Sequence, residues 1–222
     1  MTGSNHGELR ELRELADAYA RSMPVRRVAV IGNAPLDPSV ERAEAIDACD
    51  VVIRVNSFVV DHPDEDGIRR LGRKCDVVLW SRLVIATRDL FHDYRNRLYV
   101  MLEPMRMYGR PEMWPASWPE DLGFVVAANK AVAIPLNNEL AIPWQEERLA
   151  PTTGTTAVWL ATNLWPDAEV LVTGMSFVDQ PDQTSWQHQF GDSVVVGREH
   201  RIAAESVLLR RWADDGTISL LQ

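Results

Sequence analysis

Two histidines, a run of threonines, two asparagines and one misplaced carboxylate are the residues of this chain whose types and spacing could do chemistry. His188 stands in Ser185-Trp186-Gln187-His188-Gln189-Phe190, and His200 opens the last helix-forming segment. Neutral imidazole can take the proton of an attacking hydroxyl near neutral pH, or donate to a departing anion once protonated. Pro151-Thr152-Thr153-Gly154-Thr155-Thr156 precedes an apolar segment, 157–165, that reads as a buried helix. Free N–H groups and the dipole at such an N-terminus favour an anion. Capping by Thr152 or Thr153 accounts for one threonine. Gly154, in place of a better helix former, points to close backbone approach by a ligand. On the last helix, at ~100° per residue, Ile202, Leu209 and Trp212 share a face with Glu205, while Ser206 and Arg210 occupy another. A carboxylate on an apolar stripe is costly unless paired or functional. Glu205 is therefore expected to point inward and hold a loop amide or a cationic partner, in support of the site or as a structural ion pair.

The elements that must position these groups start at residues 27–58, RVAVIGNAPLDPSVERAEAIDACDVVIRVNSF. Its apolar runs, 28–31 and 51–55, read as buried strands with a helix between them, the parallel βαβ unit of ~30 residues. Ser39 is the expected N-cap of that helix, 40–45, ending near Asp47 or Ala48. The strand ends, Gly32-Asn33 and Asn56, would face one crevice, and an amide suits a ribose, a base or a phosphate oxygen. A polar strand-end turn with no ligand is the plainer alternative. Further strands are expected at 76–80, ending in Ser81-Arg82, at 98–102, at 123–127, and at 169–173, ending in Gly174. Arg82 could meet a phosphate or carboxylate, or form a surface ion pair. Residues 8–21 read as an amphipathic helix packed on the sheet or on a second subunit, behind a polar, disordered tail at 1–6. A helix is expected at 83–94 and a short one around 144–148, with loops elsewhere in 129–150. The segment 103–119, with Met105, Met107, Met113, Trp114 and Trp118, reads as a packed cover that could also supply aromatic faces to a sugar.

A dinucleotide site needs G-x-G-x-x-G and an acidic residue ending the second strand. The chain offers Gly32-Asn33-Ala34-Pro35-Leu36-Asp37 and ends that strand in Asn56, so NAD is not expected. GNAPL, ID-x-CD-x-VIRVN and LGRKCD, over 28–76, instead resemble the large sialylmotif of the eukaryotic sialyltransferases, glycosyltransferase family 29. Three blocks keep order and spacing. Pro151-Thr152-Thr153-Gly154, with its helix and glycine-ended strand, resembles the small sialylmotif. His200 to Glu205 reproduces H-x4-E, the family's last motif, whereas His188 keeps only part of the third motif and lacks its glutamate.

The resemblance implies that Asn33 and Asn56 contact the cytidine nucleotide of a CMP-sugar, and that Thr152, Thr153 and Gly154 line its phosphate and ribose, with Gly32, Ser81 and Gly174 in the same nucleotide site. It also implies His200 as base and His188 as donor to the departing phosphate, supported by Glu205. The expected fold is α/β, a Rossmann-like, largely parallel sheet flanked by helices, a GT-A-like variant as in sialyltransferases. Residues 1–24 would be tail and helix, and 25–222 a single catalytic domain, shorter than most of the family.

Composition bounds the rest. At 222 residues and net charge −9, the chain suits one domain, and its acidity argues against nucleic-acid binding. Lys74 and Lys130 are the only lysines, a hint of a GC-rich bacterial source. Cys49 and Cys75 lack metal-ligand spacing and read as buried hydrophobes in a reducing compartment, and no apolar run reaches membrane-spanning length. A soluble, cytoplasmic protein is expected. Asp64-Glu65-Asp66 fits D-x-D as a string, but turn formers surround it, and no metal or cofactor is expected. The function expected is metal-independent inverting transfer of an acidic sugar, sialic-acid-like or Kdo-like, from CMP to a hydroxyl-bearing small molecule or glycan. The alternatives are hydrolysis of a CMP-sugar or nucleotide at the same site, and non-catalytic nucleotide binding.

Overall fold

The structure, a computed structural model, describes residues 3–62, 67–81, 85–102 and 117–221, with the side chains of 3–6 excepted. Its centre is a parallel seven-stranded sheet in the order β5-β4-β3-β2-β1-β6-β9. The strands are β1 (Arg27–Ile31), β2 (Val51–Val55), β3 (Val77–Trp80), β4 (Leu98–Met101), β5 (Val125–Val126), β6 (Glu169–Thr173) and β9 (Ser219–Leu220). The central strands are apolar on both faces because both are covered. Val28, Val30, Val51, Ile53, Val77, Leu79, Leu98, Val100, Val170 and Val172 join the larger core. Ala29, Ile31, Val52 and Leu171 point the other way, as do Val78 and Tyr99.

Four helices supply the larger core: α1 (Gly3–Asp17), α3 (Ala133–Leu140), α5 (Thr153–Leu164) and α6 (Ile202–Asp214). Helix α1 seats Leu12 and Ala16 there, and its Asp17 accepts from Trp165 Nε1 at 2.8 Å. It begins at Gly3, so residues 3–6 are helical where a disordered tail was expected. The other face carries α2 (Val40–Asp47), capped by Ser39, whose Oγ accepts from Arg42 N at 3.1 Å.

Three expectations change. No α-helix follows β3 among the described residues of 83–94; a 3-10 turn, Tyr94–Asn96, comes instead. Tertiary hydrogen bonds hold that stretch open: Asp89 Oδ2 accepts from Val60 N at 2.9 Å, Arg97 Nη1 donates to Asp89 O at 2.7 Å, and Tyr99 donates to Leu90 O. Between 129 and 150 there is α3 as well as α4 (Trp144–Glu147). After β6 comes a small antiparallel hairpin, β7 (Ser185–Gln187) with β8 (Ser193–Val195), which sequence periodicity did not reveal. Trp118 packs on Trp80 with centroids 5.1 Å apart, as part of the cover. Arg82, Asp64-Glu65-Asp66, Met105, Met107, Met113 and Trp114 lie outside the described residues. Among the described residues no helix is long and apolar enough to cross a membrane.

The crossover from β2 to β3 has no helix among its described residues. Arg54, fully buried on β2, replaces one by giving its guanidinium to the carbonyls of Leu71 (2.7 Å), Gly72 (3.3 Å) and Lys74 (3.0 Å). Burial pulls its pKa below the ordinary arginine value. Asp61 Oδ2 collects the amides of Arg70, Leu71 and Gly72 at 2.9, 3.1 and 2.8 Å, and Asp47 Oδ1 those of Arg73 and Lys74 at 2.6 and 2.9 Å. Carboxylates accepting several amides fix loop backbone as firmly as a helix would.

Candidate active site

The chain runs β1 to β5 toward one edge and then jumps back to lay β6 on the other side of β1. Loops leaving β1 and β6 therefore diverge at their carboxyl ends, the place where open α/β sheets bind ligands. Gly32 and Gly174 meet there. A Cβ on Gly32 would come within 2.1 Å of Gly174 O, and Gly174 has φ +72°, so both glycines are demanded by backbone contact. Above them opens a cleft of about 1000 Å³.

Gly32, Asn33, Asn56, Ser81, Thr152, Thr153, Gly154, Gly174, His188 and His200 all line that cleft, and Glu205 stands behind it. Asn33 Nδ2 donates to Val55 O at 2.9 Å, which leaves its side-chain oxygen toward the cleft. Asn56 has φ 52° in the left-handed region, and its Oδ1 accepts from Ser81 N at 3.0 Å, which leaves the Nδ2 donor. Ser81 Oγ lies 2.9 Å from Thr153 Oγ1, so one chain of contacts joins the ends of β1, β2 and β3 to the start of α5.

Helix α5 begins at Thr153, earlier than expected, with Thr152 as N-cap and the threonines inside its first turns. Thr152 Oγ1 accepts from Thr155 N at 3.1 Å. No backbone partner is recorded for the amides of Thr153 and Gly154 among the described residues, so they remain for an anion. A Cβ on Gly154 would stand 2.7 Å from Met175 Sδ, so the helix start packs closely on that side chain.

His200 sits two residues before α6, not at its start. Its Nδ1 lies 2.9 Å from Ala150 O. A carbonyl only accepts, so Nδ1 carries the proton and neutral His200 keeps a lone pair on Nε2. Glu205, with no exposure, accepts at Oε2 from Thr152 N at 3.0 Å and from Thr152 Oγ1 at 2.6 Å. Ala150 N donates to Glu199 O at 2.9 Å. Both ends of the H-x4-E segment thus grip the strap 150–152 that leads into α5. Ser206 is buried as well, its Oγ donating to Val178 O at 2.9 Å, so the helix is covered on two faces.

His188 comes from the hairpin. Its Nδ1 lies 2.5 Å from Asp192 Oδ1, its ring stacks on Phe190 at 5.0 Å, and the amide of Gln189 donates to Asn33 O at 2.7 Å. Gln189 Oε1 accepts from Leu36 N at 2.8 Å, which ties the hairpin to the loop after β1. Asp192 and Gln189 were not foreseen. The four-residue spacing of His188 and Asp192 was visible, but only the turn between them makes it meaningful. The far wall, from α3 and the segment 144–150, was missed entirely.

No family model matches the chain, and no curated protein matches it by sequence. Solved structures do match. The chain is similar to a mammalian sialyltransferase crystallised with Gal-beta-1-3GalNAc-ortho-nitrophenol, at 14% identity and TM-score 0.56, over 98% of this chain and 78% of that one. It is likewise similar to a crystal structure of a mammalian sialyltransferase at 16% identity and TM-score 0.55, over 99% and 79% of the respective chains. The chain has a sialyltransferase-like fold.

Proposed function

We propose that the protein is a glycosyltransferase of the sialyltransferase type, taking a CMP-activated acidic sugar as donor. One observation carries the reading: two amides at strand ends, an open helix N-terminus and two imidazoles, from five separate segments, line one cleft at the switch point of this fold. Asn33 and Asn56 are suited to ribose and base, and the free amides of Thr153 and Gly154 to the phosphate.

The acceptor oxygen attacks the anomeric carbon as the bond from that carbon to the phosphate oxygen breaks. The hydroxyl proton passes to His200 Nε2, and CMP leaves with the electron pair. His188, its Nδ1–H held by Asp192, donates from Nε2 to the departing phosphate when protonated. A nucleoside monophosphate departs with less charge than a diphosphate, so side-chain and backbone donors are sufficient and no metal is required. The cleft lies at the top of the ~300–1,000 Å³ range of small-molecule sites, which favours an acceptor beside the donor over water alone.

The test is a melting-temperature panel of CMP, CDP, UMP, UDP, GDP and NAD, followed by CMP-sialic acid turnover with and without acceptors. Selective stabilisation by cytidine nucleotides is expected. Replacement of His200 by alanine should cut turnover by ~10²–10⁴-fold while the CMP shift persists. Equal shifts with every nucleotide, or full turnover in the variant, would sink the reading. Release of CMP at full rate without acceptor would make the enzyme a hydrolase.

A further inference from the structure

The wall of the cleft built from α3 and the segment 144–150 holds an unpartnered polar group. Asn137 on α3 is 3% exposed and lines the cleft, yet its Oδ1 has no hydrogen-bond partner among the described residues. A buried carbonyl left this way is destabilising, a cost that a ligand donor would remove. Trp144 stands on the same wall, its Nε1 held by Asn138 Oδ1 at 3.2 Å.

A second and independent observation is Arg148. It is the one arginine or lysine among the described residues lining the cleft, in a chain of net charge −9. Its backbone adopts φ 57° at the end of α4, and among the described residues its side chain makes no ion pair. The adjacent carboxylate, Glu147, is already taken by Arg201. Two residues on, Ala150 O holds His200. Arg148 thus lies two residues before the strap that fixes the imidazole, and that strap is clamped to the start of α6.

We infer that this wall binds the acceptor, and that the acceptor is an acidic sugar whose carboxylate or phosphate is read by Arg148. A ring hydroxyl donates to Asn137 Oδ1, and the ring lies against Trp144. The inference rests on the proposed transferase reading for the word acceptor, and on Asn137 and Arg148 alone for the acidic sugar.

The experiment measures binding of methyl β-glucuronide, methyl β-glucoside 6-phosphate and neutral methyl β-glucoside to the full chain with CMP present, by ligand-observed NMR. At least one charged sugar should bind ~10-fold tighter than the neutral one, the size of a single charge-assisted contact. Preference for the glucuronide alone assigns a carboxylate, and for the phosphate alone a phosphosugar. Equal binding, or no binding, of all three overturns the inference. Arg148→Gln should abolish the preference. Asn137→Leu should raise the melting temperature, by removing an unpartnered buried amide, while weakening all three sugars. A lower melting temperature with unchanged sugar binding would give Asn137 a structural role and overturn its part. If an acidic sugar binds selectively while CMP and other cytidine nucleotides leave the protein unaffected, the wall stands and the donor assignment falls.

Discussion

His200 and His188 differ less in chemistry than in what holds them. One imidazole gives its Nδ1 proton to a carbonyl, the other to a carboxylate. Carbonyl and carboxylate both accept from Nδ1, so each ring is held in a fixed orientation with Nε2 left free. Asp192→Asn should therefore loosen the His188 ring and slow turnover, while the cytidine-induced stabilisation survives. Unchanged turnover would remove Asp192 from the mechanism. The cysteines carry a separate prediction. Burial pushes both thiols up to about 11 from an ordinary 9.0. In the folded chain they should resist a disulfide reagent at about pH 8, where unfolded thiols react readily. A raised folded value contributes stability below the unfolded value, lost as pH climbs from about 9 through about 11. The melting temperature of the parent should fall across that window, and more gently in the Cys49→Ala/Cys75→Ala double variant.

Among the elements, the strap 150–152 matters most, because His200 and Glu205 hold it from two sides and it delivers Thr153 and Gly154 to the cleft. Glu205→Ala would orphan the Thr152 amide in a dry interior. The expected loss is ~1–3 kcal/mol, a fall of ~2–12 °C for a chain of this size, with weaker CMP binding as the α5 N-terminus drifts. Glu205→Gln keeps an oxygen for that amide and should lose less. The segment holding Glu205 was legible because an acidic residue interrupted an apolar stripe at helical spacing. So were β1, β2 and β6, whose apolar runs ended at glycine or asparagine. Helix α3 was not, since Pro135 reads as a breaker. It falls in the first turn, where a missing N–H is tolerated. The stretch after β3, with no α-helix among its described residues, is the opposite case. The residues there are adequate helix formers, and hydrogen bonds to Asp89 and Leu90 from elsewhere in the chain override them.

At the scale of the molecule, the stretch that resembles the large sialylmotif divides its labour. Asn33 and Asn56 line the cleft, whereas Asp47, Arg54 and Asp61 hold the crossover that brings β3 and Ser81 alongside β2. Sequence spacing could show that these residues belong together. It could not show which face of the sheet each serves, because a strand buried on both faces gives no alternation to read. Arg54 is the clearest example, a charged residue in an apolar strand that spacing alone would assign to a ligand. Its contacts are backbone carbonyls, and Asn56 lies only two residues beyond it. Arg54→Met fills similar space but leaves the carbonyls of Leu71 and Lys74 without their donor, whereas Gly72 O keeps the amide of Asp61 at 3.0 Å. At ~1–3 kcal/mol each, partly offset by relief of burying the charge, the expected loss is ~2–4 kcal/mol of a total of ~5–15. Urea unfolding should show the midpoint falling sharply, and nucleotide binding should weaken because the loop carrying Ser81 loses its anchor. If the variant keeps its midpoint and loses only CMP, Arg54 belongs to the cleft after all, and this division of labour is wrong.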